Sequence, residues 1–152
     1  MVDRLTQLFQ EWHRLGGAVL LAQSPPELVP RRAEEVIAES TAWCRVSGRL
    51  TWIALDWLIR HIDQLNTAEL LRATQSTGDL SVLGVLCDAA RERRPHPQFD
   101  VLIAACPPAP RVEVFFERVA RNPLAAREAR EKAVTVFRRW NYLSAELRYL
   151  TP

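Results

Sequence analysis

Residues 50–65, "LTWIALDWLIRHIDQL", restrict the fold more than any other stretch of this chain. They hold two Trp, four Leu and three Ile. Wound as a helix, the segment places Trp52, Leu55 and Ile59 on one side. Ile53, Trp57, Leu58, Ile62 and Leu65 fall on the other. A helix that is apolar nearly all round has to be covered nearly all round. A bilayer is not the cover, because a span needs about 20 predominantly apolar residues and Asp56, Arg60, His61 and Asp63 interrupt this one. The cover must be other helices, with Asp56 and Arg60 free to pair at i,i+4 on the remaining strip. The expectation is an all-α, single-domain bundle of about six to eight helices over residues 1–152, built around a buried central helix at 50–65.

The remaining segments are consistent with that architecture. The ten prolines fall mainly at 25–30, 95–97, 107–110 and 123, between apolar-periodic runs, as helix punctuation does. Residues 2–15 put Leu5, Leu8, Phe9, Trp12 and Leu15 on one face and end at Gly16-Gly17. Residues 31–48 carry a seam of Ala33, Val36, Ile37, Ser40, Trp43 and Cys44, with Gly48 past the end. Val112, Phe115, Phe116 and Val119 recur at helical spacing and predict helix. Asn122 caps a segment whose first helical residue is Pro123. There a stripe of Ala126, Ala129, Ala133, Val136, Phe137 and Trp140 predicts one long helix. The stretches 18–23 and 99–106 read equally as helix or strand.

Composition excludes some functions. Net charge is +2, so no global field gathers polyanions. The charge is uneven, however: residues 91–152 hold 12 basic and 7 acidic side chains. Nineteen of the 20 basic residues are Arg, a usage that suits carboxylate or phosphate recognition but is explained more simply by the codon bias of a GC-rich genome, so it decides nothing. Cys44, Cys87 and Cys106 have no metal or redox spacing and read as buried free thiols of a reducing compartment. The N-terminus lacks the apolar core of a secretory signal, so a cytoplasmic protein is expected.

Two motifs invite sharper readings. Asn66 and Glu69 stand as a capping box, and Asp79 can cap the helix that follows. In order and spacing, residues 49–94 resemble a winged-helix or helix-turn-helix DNA-binding module. That resemblance implies a recognition helix beginning near Leu80 and phosphate contacts from Arg91, Arg93 and Arg94. The pattern departs from the family where reading occurs, since Leu80, Ser81, Val82, Leu83, Gly84, Val85 and Leu86 offer no polar edge to a base. Arg91 and His96, spaced Arg-x-x-x-x-His, resemble the active-site signature of the all-helical HEPN ribonucleases. That implies catalysis on RNA by this pair, although Pro95 and Pro97 place His96 on a loop.

No other catalytic or metal-ligating pattern is present. The three histidines lie far apart, and His61 reads as a packed side chain. No cofactor is implied. The functional expectation is a non-enzymatic bacterial regulatory or interaction protein, antitoxin-like or adaptor-like, that binds a protein partner. Arg138, Arg139, Trp140, Tyr142 and Tyr149 are the expected contact residues, because aromatics and Arg carry interface energy. A DNA-binding regulator and a ribonuclease are the alternatives. A homodimer is compatible with the same C-terminal surface.

Overall fold

The computed structural model describes residues 3–19 and 29–145. Helix α1 (Arg4–Arg14) starts where the Asp3 carboxylate accepts the backbone N–H of Thr6. It ends at Gly16, whose φ of 82° is the left-handed turn that glycine adopts without strain. Leu8 and Trp12 are fully buried, as the apolar face of the first run requires. The Trp12 indole donates to Ser40 Oγ at 3.0 Å. Its ring meets Trp57 edge to face, with centroids 5.9 Å apart.

Helix α2 (Ala33–Thr41) stops seven residues before Gly48. Gly48 is instead the first residue of α3 (Gly48–His61), capped by the Ser47 hydroxyl accepting from Leu50 N–H. The segment 50–65 is thus mostly α3, and a 3₁₀ turn at Ile62–Gln64 completes it. Leu50, Ile53, Ala54, Leu55, Trp57 and Leu58 are buried, and Asp56 pairs with Arg60 at 3.2 Å. His61 packs on Trp57, with rings 4.8 Å apart.

Helix α4 (Thr67–Thr77) lies along α2, and α5 (Leu80–Arg93) lies along α3. Asn66 caps α4 by accepting from Glu69 N–H at 3.0 Å. The reciprocal half of the expected capping box comes from elsewhere. Asn66 N–H is met by Glu34 of α2 at 2.9 Å, while Glu69 is drawn away to Arg32. Asp79 caps α5 as expected. Every residue of α5 from Ser81 to Ala90 is buried, a run longer than any in α3. Helix α6 (Pro97–Ala105) resolves the ambiguity at 99–106 in favour of helix and packs on α5.

The C-terminal third departs from the expected helices. Residues 113–114 form β1 (Glu113–Val114), followed by a single turn of helix, α7 (Glu117–Ala120). The long helix expected from 123 to 140 is two: α8 (Pro123–Glu131) and α9 (Thr135–Arg139). The break has a sequence cause in the run Val134-Thr135-Val136, three β-branched residues with low helix propensity. Val134 is extended, at φ −69° and ψ 141°, and its N–H bonds to Ser144 O at 2.9 Å. After Asn141, which holds a φ of 63°, β2 (Tyr142–Leu143) pairs in parallel with β1. A parallel pair needs a crossover, and α7, α8 and α9 supply it. Nine α-helices and this two-stranded sheet make the described residues an all-α fold.

Candidate functional site

Of the residues expected to meet a partner, Trp140 and Tyr142 are buried, while Arg138 and Arg139 stay exposed but are bonded within the chain. Trp140 is 6% exposed, and its indole N–H donates to Asp88 Oδ2 at 2.9 Å. Arg139 clasps the same carboxylate with two nitrogens, at 2.8 and 2.9 Å, and reaches Glu92 at 2.9 Å. Tyr142 is buried under Arg45, whose guanidinium stands 5.1 Å from the ring centroid. Ser81 gives its hydroxyl proton to Asp79 at 2.6 Å, so the Tyr142 hydroxyl, 2.7 Å away, donates to Ser81. Arg138 closes the end of α8 by donating to the carbonyls of Arg130 and Ala133. Tyr149 lies outside the described residues. The apolar side of the C-terminal stretch, Val136, Phe137, Trp140 and Tyr142, is therefore core. An alternation of apolar and basic residues could not reveal this, because burial there depends on a turn at 132–134.

Arg91, Arg93, Arg94 and His96 are mostly occupied as well. Arg91 bridges Asp88 at 3.3 Å and Asp100 at 3.0 Å. Arg94 donates to the carbonyls of Ile59 and Arg60, which close the end of α3. His96 caps α6, its Nδ1 accepting from Gln98 N–H at 3.1 Å. Of these four, Arg93 alone is exposed with no partner among the described residues. The N-terminal half of α5, where bases would be read, is buried.

A cavity lies elsewhere, between the start of α3 and the α7–α8 crossover. It measures about 630 Å³ and is lined by Arg45, Ser47, Gly48, Arg49, Arg118 and Asn122, with Val46, Phe116, Val119 and Ala125 as its apolar surface. Three arginines line it and the first turn of α3 adds partial positive charge, with Glu113 offsetting Arg45. Arg45 is fixed rather than mobile. It donates to the carbonyls of Val114 and Phe115 at 2.9 Å each and pairs with Glu113 at 3.1 Å. Arg49 lies over the Phe9 ring at 4.8 Å. Arg118 is exposed and makes no ion pair among the described residues. Leu124, on the first turn of α8 next to Ala125, is 80% exposed.

Sequence reasoning missed this groove. Its arginines come from the turn before α3 (Arg45), from the first turn of α3 (Arg49) and from a segment that reads as continuous helix around 118. No local pattern brings them together. Among the described residues, no group of three His, Cys, Asp or Glu side chains is placed to hold a metal ion, and no helix is long and apolar enough to cross a membrane. Compared with known proteins, the chain matches no family model, no curated protein and no solved structure.

Proposed function

We propose that this is a partner-binding protein, antitoxin-like or adaptor-like, which holds an acidic segment of another protein in the groove between α3 and the α7–α8 crossover. The observation that carries the reading is the combination in that groove of three arginines with an apolar floor. Guanidinium groups pair with carboxylates through a planar fork. Apolar side chains between them exclude water and reward an aliphatic or aromatic neighbour of the acid. A nucleic acid would need a basic stripe interleaved with surfaces for phosphate or base contact. Here the floor of Phe116, Val119 and Ala125 and the exposed Leu124 suit a protein better. Arg45, held by two carbonyls and by Glu113, fixes the wall of the groove, and the exposed Arg118 is the cation offered to the partner's acid.

The test is affinity capture of the tagged protein from its host, with and without nuclease. A stoichiometric protein that survives nuclease treatment supports the reading. Co-purifying nucleic acid whose removal strips every bound protein refutes it.

A further inference from the structure

We infer, resting on the groove reading above, that the partner's acidic residue is flanked on both sides by bulky aliphatic side chains, which seat on Val46 and Leu124. Val46 lines the groove from the turn before α3 and is 49% exposed. Leu124 is 80% exposed on the first turn of α8, between Asn122 and Ala125, which both line the cavity from the crossover side. Single aliphatic side chains scattered over a surface need no explanation. These two are not scattered: of the five large apolar side chains exposed among the described residues, two border this one cationic groove.

Neither aliphatic side chain is required by local structure. Asn122 caps α8 by accepting from the N–H groups of Leu124 and Ala125 at 3.1 Å each, which uses the backbone of Leu124 and not its side chain. Val46 is likewise held through its backbone, its N–H donating to Trp43 O at 3.0 Å. The first turn of a helix favours Asp or Glu, which complement the dipole. The first turn of α8 has neither, and nor does that of α3 on the facing wall. The groove therefore leaves two things to a partner: a negative charge for Arg118, and cover for two exposed aliphatic groups. A carboxylate on an exposed arginine gains little while water surrounds the pair. Aliphatic neighbours seated on both rims exclude that water and strengthen the same pair.

The experiment is an array of synthetic peptides probed with the purified protein. Each peptide holds one Glu in a Gly-Ser background, with Leu or Ser placed on each side at varied spacing, and a matched set carries Gln in place of Glu. The parent should retain the Leu-flanked Glu peptides about fivefold or more better than the Ser-flanked or the Gln peptides. Leu124→Ser and Val46→Ser should keep the parental circular dichroism spectrum and lose the preference for Leu. Arg118→Glu should lose the preference for Glu over Gln. A preference for Glu without one for Leu overturns the inference and leaves the groove reading standing. No preference for Glu over Gln overturns both. A preference for Leu that survives Leu124→Ser and Val46→Ser also overturns the inference. So does a parental dimer that Leu124→Ser converts to monomer, which would give this face to a second copy of the chain.

Discussion

The Trp140 ring lies against the backbone of Gly84, so close that a Cβ added at Gly84 would come within 2.2 Å of it. Glycine in the middle of a buried helix is costly by about 1 kcal/mol relative to alanine. Its presence in α5 is explained by this contact, which seats α9 in a notch. Gly84→Ala is expected to destabilise the protein by about 1–2 kcal/mol in urea unfolding, despite the better helix former. The indole cannot step aside without giving up its bond to Asp88.

Asp88 is the hub of that contact, 2% exposed and bonded by Trp140, Arg139 and Arg91. Burial pushes its carboxyl pKa up, but the hydrogen bonds from Arg139 and Trp140 and the charges of Arg139 and Arg91 outweigh that and hold it below the ordinary value. A group depressed on folding stabilises above its unfolded pKa, about 3.9. That stability is lost as pH falls through the folded value. The contribution of Asp88 should therefore be constant from pH 7 to 5, start to fall near about 3.9 and be gone only below the lower folded value. In Asp88→Asn the acid limb of a stability–pH curve should be shallower than in the parent. An unchanged limb would mean that the clasp contributes nothing.

Truncation after Asn141 removes Tyr142, which packs edge to face on Phe115 at 5.0 Å and bonds to Ser81. It also removes the β2 strand. Loss of a buried aromatic costs about 3–5 kcal/mol, so the truncated chain should show a strongly lowered melting temperature by circular dichroism. A truncated protein with parental stability would return the tail to the surface.

All three cysteines are buried. Burial pushes the Cys44 and Cys106 thiols up to about 12 and raises Cys87 well above its ordinary value. At pH 8 the thiolate fraction of a group at about 12 is roughly a thousandfold below that of a free cysteine. An aromatic disulfide reagent should label none of the three quickly in the native protein and all three at once in guanidinium. Fast native labelling of any one would contradict its burial.

Where local chemistry decides structure, the sequence was legible. The caps at Asp79 and Asn122 and the packed His61 all stand as the residues imply. The all-round apolar character of 50–65 did announce a buried helix. Reading failed where tertiary contacts override periodicity. Val112, Phe115 and Phe116 keep helical spacing, yet Glu113–Val114 between them are strand and the chain bends at 115–116, because Tyr142 and Leu143 offer it a partner about thirty residues away. Likewise, the stripe from Ala126 to Trp140 looks continuous only until Val134 bonds to Ser144. The candidate groove was invisible for the same reason. Arg45, Arg49 and Arg118 meet only after α7 is drawn onto the turn before α3, where Glu117 N–H bonds to Arg45 O at 2.9 Å.

The most direct test of the account is the charge of Arg118. It lines the groove and makes no ion pair among the described residues, so Arg118→Glu should leave stability within about 0.5 kcal/mol of the parent. Captured from the host after nuclease treatment, the parent should retain its partner in stoichiometric amount, and Arg118→Glu should lose at least about nine-tenths of it. Equal recovery of the same partner on both proteins would contradict the assignment of the groove as the binding site.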